Sequence, residues 1–195
     1  MIIGNKTLMT QARESLRGKW QLAVGVWCIY ALITILAGDV EGMGPVLQVL
    51  IDGPLFLGLS VFALAISRDK EASISQLFTG FNDFIRTLVA YLLMGIFILL
   101  WSLLLIVPGI IAALAYSQTF FILAEDKSIS AQEAITKSKT MMNGHKKQLF
   151  FLSLRFLGWF LLSILTLGIG FLWSLPYFYV TLAKFYDKIA KKSAQ

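Results

Sequence analysis

Between Arg86 and Glu125 the chain carries no charged residue for 38 consecutive positions. That is nearly twice the roughly 20 apolar residues that cross a hydrocarbon core. Pro108-Gly109 lies midway, and proline followed by glycine punctuates helices. The stretch therefore predicts two spans, about 87–107 and 109–124, with the turn at Pro108-Gly109. Three more apolar runs follow the same logic. Trp20 to Ala37 is uncharged, Met43 to Ser67 is interrupted by Asp52, and Gln148 to about Phe185 is divided by Leu167-Gly168-Ile169-Gly170. They predict spans at about 20–38, 45–67, 148–167 and 170–187, six in all.

Composition agrees. Hydrophobic residues make up 57% and charged residues 14%, against roughly 25% charged in a soluble domain. A chain of 195 residues cannot bury so much apolar surface in one core. A soluble monomer and a disordered chain are both excluded. Cys28 stands alone, so no disulfide can form within the chain. His145 stands alone too, leaving a His/Cys metal site almost without ligands. No nucleophile elbow, phosphate loop or paired catalytic carboxylates occur, so no catalytic residue, cofactor or metal is expected. Nineteen fairly polar residues precede the first apolar run, and no small-residue cleavage site follows it, unlike a cleavable signal peptide.

The net charge of +6 is explained by where the charges fall. Lysine and arginine concentrate in cytoplasmic loops. Lys6, Arg13, Arg17 and Lys19 precede the first span, and Arg68, Lys70 and Arg86 join the second to the third. Lys127, Lys137, Lys139, Lys146 and Lys147 join the fourth to the fifth, and Lys184, Lys188, Lys191 and Lys192 close the chain. With Arg155 near the same side, all 17 basic residues share one face, which with eight acidic residues sums to +9. The opposite face, with Asp39, Glu41 and Asp52, sums to −3. Both termini are expected in the cytoplasm. The basic face suits anionic lipid headgroups rather than nucleic acid.

A shift of 61 residues superposes the second hairpin on the third. Ser102, Gly109, Tyr116, Asp126 and Lys127 fall on Ser163, Gly170, Tyr177, Asp187 and Lys188. The first hairpin ends in Asp69-Lys70. An amphipathic segment precedes each hairpin, at about 5–17, 75–84 and 130–143. Apolar residues there recur at three- and four-residue steps (Leu8, Ala12, Leu16; Leu77, Phe81, Phe84; Ala131, Ala134, Ile135, Met141, Met142, with Ser138 on the same side). Such helices suit the membrane surface. The third has a capping box, Ser130 with Glu133, and Gly144 at its end. The expected fold is an all-α membrane protein of three hairpins, each led by a surface helix, in a three-fold internal repeat.

Few polar residues lie within the spans. Asp52 precedes Gly53-Pro54, a helix-start signal, so the favoured reading is a cap with the span beginning near Gly53. The alternatives are an intramembrane polar contact or a transport site. Arg155 can snorkel to the cytoplasmic headgroups, with Asp83 or Glu125 as a better partner than Asp52. Tyr116, Ser117, Gln118, Tyr177 and Tyr179 could form a polar patch, and Pro176 permits a kink. Trp101, Trp159 and Trp173 read as packing or interface anchors.

The strings Asp52-Gly53-Pro54-Leu55, Leu77-Phe78 with Gly80-Phe81, Pro108-Gly109-Ile110, Ile129-Ser130-Ala131 with Glu133-Ala134-Ile135, Gly144-His145-Lys146, Gly158-Trp159 and Pro176-Tyr177 carry a resemblance over nearly the whole chain. The chain resembles an uncharacterised bacterial integral membrane family, a domain of unknown function common in Gram-positive bacteria. The resemblance implies a small polytopic protein of the cytoplasmic membrane and no particular activity. The expected function is binding of a membrane partner, a lipid or an envelope-active peptide, as a single chain or a homo-oligomer. The second reading is a small transporter or channel with a path lined by Tyr116, Gln118, Tyr177 and Tyr179.

Overall fold

Gly44–Ser67 forms the most enclosed long helix, and the reason lies in its small residues. The computed structural model describes residues 4–193. In chain order its helices are α1 (Asn5–Ser15), α2 (Trp20–Gly38), α3 (Gly44–Ser67), a 3₁₀ segment (Ile74–Asp83), α4 (Phe84–Leu104), α5 (Ile106–Tyr116), α6 (Thr119–Glu125), α7 (Ala131–Met141), α8 (Lys146–Leu165) and α9 (Phe171–Ser193). Along α3, Leu55, Leu59, Phe62 and Ile66 are buried. A Cβ at Gly58 would fall on the Leu77 carbonyl, and one at Gly80 on the Pro54 carbonyl. Glycine at both places lets the 3₁₀ segment lie directly on α3, backbone against backbone. Among apolar surroundings, close approach of this kind holds helices together better than burial does, since lipid is as apolar as a core.

That segment explains its own geometry. Ten residues is long for a 3₁₀ helix, in which side chains at i and i+3 eclipse. Leu77 and Gly80 therefore form one buried row against α3, while Phe78 and Phe81 form a second, exposed row. A capping box of Ser73 and Gln76 starts it.

Two boundaries differ from the sequence expectation. The α3 helix is continuous through Asp52, and Pro54 lies inside it. The start signal belongs to Gly44-Pro45, which puts proline in the first turn. Asp52 is thus no helix cap. Between α4 and α5 the turn is at Leu105, whose backbone is extended (φ −162°, ψ 149°). Pro108 follows within the first turn of α5, where its missing N–H costs nothing.

The apolar stripes of the first and third amphipathic segments face protein, whereas in the second Leu77 does so and Phe78 and Phe81 stay exposed. Leu8, Ala12 and Leu16, then Leu77, then Ala134, Ile135 and Met141 are all buried within the described residues. Periodicity identified the apolar face but not its cover: α1 packs on α9, the 3₁₀ segment on α3, and α7 on α4, α5 and α6. The molecule's outer surface is apolar instead. Leu103, Ile106 and Leu165 are 74%, 77% and 78% exposed. An apolar patch of such extent marks a membrane or protein contact. Five helical stretches among the described residues are long and apolar enough to cross a membrane: Trp20–Gly38, Gly44–Ser67, Ile74–Leu104, Ile106–Glu125 and Lys146–Leu165. The chain thus has the makings of a multi-pass membrane protein. The α9 helix is apolar to Ala183 and then carries Lys184, Asp187 and Lys188.

Candidate functional site

Three helix ends converge on one charged cluster. Arg68 caps the C-terminus of α3, Glu125 ends α6, and Asp187 lies in the charged half of α9. The Arg68 guanidinium donates to Asp187 Oδ1 from Nε at 3.0 Å and from Nη2 at 2.6 Å, and Nη2 also donates to Glu125 Oε1 at 2.7 Å. The rest of the carboxylate capacity is used as well. Ser67 Oγ donates to Asp187 Oδ2 at 3.0 Å, and Tyr186 Oη donates to Glu125 Oε2 at 2.6 Å. Lys184 Nζ donates to the Ser67 carbonyl, one of the acceptors that a helix end leaves free. Hydrogen bonds to Asp187, and next to Glu125, raise the Arg68 pKa above its ordinary value despite partial burial. One arginine thus ties three helices by charge-assisted bonds, the stronger kind. A cavity of about 530 Å³ opens beside the cluster, lined in part by Gln11, Glu14, Arg68, Lys184 and Asp187.

Arg68, Glu125 and Tyr186 each immediately precede an Asp-Lys pair. The Asp-Lys pair recurs in the sequence, but of the three only Asp187 joins the cluster, together with the residues that precede each pair. Asp69 takes no part and lies 3.8 Å from Lys19. Asp126 accepts from the Ser128 hydroxyl at 2.6 Å and backbone N–H at 2.9 Å, which lowers its carboxyl pKa.

A second polar site breaks one helical run. The segment expected as one span at 109–124 is α5 and α6 with a kink at Ser117-Gln118. Ser138 of α7 fills the break. Its hydroxyl accepts from the Gln118 N–H at 3.2 Å and donates to the Ala115 carbonyl at 2.8 Å. A side chain inserted into the backbone ladder is a known cause of kinks. Gln118 is buried; its Nε2 donates to Ser117 Oγ at 2.9 Å, while its Oε1 has no partner among the described residues. Arg86 secures the following loop by donating to the carbonyls of Asp126 and Ile129, and to Asp83 at 2.9 Å.

The remaining polar candidates lie apart. Asp52 Oδ2 accepts from Tyr91 Oη at 2.9 Å, joining α3 to α4. Tyr116 packs in a small cluster with Ile135 and stands 6.0 Å from the Phe97 ring. Tyr177 donates to the Met9 carbonyl at 3.1 Å. Tyr179 lies 5.3 Å from Trp27 and 6.3 Å from Phe121, ring to ring. The structure therefore does not gather Tyr116, Gln118, Tyr177 and Tyr179 around one path. Arg155 is exposed on α8. Neither acid expected beside it is near: Asp83 pairs with Arg86, and Glu125 with Arg68.

The turns of the second and third hairpins share one contact. A Cβ at Gly109 would strike Ser102, and one at Gly170 would strike Ser163. Beside the latter, a groove of about 420 Å³ runs between the start of α2 and the α8–α9 hairpin. Its walls include Trp20, Trp159, Trp173 and Tyr177, and sequence reasoning had read two of these tryptophans only as anchors.

Searches of curated proteins and of solved structures return no match to this chain. A family model does match, at residues 1–113 and again at 103–193, which together take in almost the whole sequence. The chain accordingly belongs to the family described as Protein of unknown function (DUF975).

Proposed function

We propose that the chain is a six-span protein of the bacterial cytoplasmic membrane, with both termini cytoplasmic, that acts by binding a lipid, a membrane partner or an envelope-active peptide. The groove beside Trp20, Trp159, Trp173 and Tyr177 carries this reading. It is walled by aromatic residues, which supply large contact areas at little cost in conformational entropy. Two of the polar residues a transport path would need are instead committed to separate contacts, Asp52 with Tyr91 and Tyr177 with Met9.

The sixth span is the stretch expected at about 170–187, within α9, apolar from Phe171 to Ala183 and charged at the end beside Arg68. The 17 basic residues on one face give the orientation. The paired Ser-Gly contacts support repetition of the second and third hairpins, and the meeting of Arg68, Glu125 and Tyr186 supports extending it to the first. Vesicle reconstitution tests binding against transport. The binding reading expects no ion or proton flux above that of empty vesicles, and mild extraction that retains a stoichiometric lipid, peptide or second chain. A flux that Asp52→Asn abolishes without lowering thermal stability would overturn it.

A further inference from the structure

We infer that the groove between α1, α2 and the α8–α9 hairpin holds one anionic phospholipid, with its phosphate at Arg13 and its glycerol and upper acyl chain along Trp20, Trp159 and Trp173. This rests on the binding reading above and names its ligand. The groove has a polar end and an apolar end. Tyr177 donates to the Met9 carbonyl, and Arg13 follows Met9 by one helical turn, so Arg13 and Tyr177 lie at one end. Thr166 and Gly170 line the other. Seven residues of helix separate Tyr177 from Gly170, about 10 Å at the usual rise per residue. Along that length the wall is Leu162, Trp159 and Trp173, and the Ser163 and Ser174 hydroxyls satisfy each other at 3.0 Å. The interior therefore offers an acyl chain few unpaired polar groups.

The charge identifies the ligand's head. Arg13 is exposed, and no carboxylate among the described residues pairs with it. Arg155 sits one turn before Trp159, so it shares that face of α8 and adds a second cation below the groove. Guanidinium binds phosphate oxygens in a bidentate fork. Basic pockets between spans on the cytoplasmic side take anionic headgroups. The mouth is rimmed by exposed Trp159, Leu162 and Trp173, so it opens onto the surface that faces lipid. An apolar helix of a partner would leave Arg13 against hydrocarbon, whereas a phospholipid matches both ends.

Native mass spectrometry of the full chain tests the assignment, after reconstitution in vesicles of equal phosphatidylglycerol and phosphatidylcholine and mild extraction. Wild type should retain one phosphatidylglycerol in preference to phosphatidylcholine. Arg13→Gln should cut that preference about tenfold, the usual scale for one charged hydrogen bond. Arg17→Gln, on the same segment but outside the groove, should leave it intact. Leu162→Trp, which fills the mouth from an exposed position, should reduce retention of both lipids without lowering thermal stability. Phosphatidylglycerol retained equally by all variants would overturn the groove assignment while leaving the binding reading in place. Retention of no lipid, or a photo-crosslinker at Leu162 that captures a polypeptide instead of lipid, would overturn the lipid itself.

Discussion

The Arg68 guanidinium lies 2.6 Å from the carboxylate of Asp187, 119 positions further along the chain. With Glu125 on the same nitrogen, this contact ties the ends of α3, α6 and α9. It joins segments far apart in the chain and places the charged half of α9 beside the ends of α3 and α6.

Removing that tie has a readable cost. Arg68→Ala leaves Asp187 and Glu125 facing each other without their cation. We expect a loss of about 2 kcal/mol, between the values for surface and buried pairs, since Arg68 is partly exposed. A double-mutant cycle with Asp187→Asn, followed by unfolding in mild detergent, measures the coupling. Additive effects would show that the pair is idle.

The contact between α3 and the 3₁₀ segment depends on the absence of a side chain. Gly58→Ala places a methyl on the Leu77 carbonyl, so one backbone must move. Overpacking of this type costs about 1–3 kcal/mol. Gly25→Ala, whose added Cβ meets no packing neighbour within 4 Å among the described residues, is the control and should be neutral or slightly stabilising. Thermal unfolding of the two variants separates them.

Much of this architecture was legible in the sequence, and the misses have identifiable causes. The uncharged run from Arg86 to Glu125 and the three- and four-residue steps around Ala131 to Met141 are local patterns; the first holds α4, α5 and α6, and the second is α7. Asp52 was misplaced because Gly-Pro occurs twice, at 44–45 and at 53–54, and only one pair starts the helix. Pro108 marked the turn three residues late because proline is equally at home in the first turn of the next helix. The kink at Gln118 depends on Ser138, 20 residues away, and nothing local announces it. The Arg68 cluster needs three distant helix ends to meet, and the Asp-Lys spacing only hinted at it. The groove was invisible for the same reason: Arg13, Trp20, Trp159 and Trp173 come from separate segments.

The Ser138 hydroxyl replaces backbone bonding at the kink, so Ser138→Ala should leave the Ala115 carbonyl and Gln118 N–H short of a partner. A buried unsatisfied group costs about 1–3 kcal/mol. Hydrogen exchange should show faster opening at Gln118 than in wild type. Unchanged protection there would mean the hydroxyl does not hold the kink.

The start of α7 is pH-sensitive in a defined direction. Glu133 Oε2 accepts from the Ser130 N–H at 2.9 Å and hydroxyl at 2.7 Å, which holds its carboxyl pKa below the usual glutamate range. A lowered folded-state value means the stabilisation is present above the ordinary glutamate pKa and is lost as pH falls through the folded value. Protection of α7 amides should therefore decline in acid, and Glu133→Gln should blunt that decline. Ser130→Ala should cost about 1 kcal/mol at neutral pH, as cap removal generally does.

The most direct test of the account is where each hairpin tip and helix end lies relative to the membrane. Cys28 is replaced by serine, and single cysteines are introduced at Gly42, Leu105, Leu167 and Lys191, in intact cells treated with a membrane-impermeant thiol reagent. Six spans with cytoplasmic termini predict labelling at Gly42, Leu105 and Leu167, and labelling at Lys191 only after the cells are opened. Labelling of Lys191 in intact cells, together with protection of Leu167, would contradict the topology and with it the placement of the groove.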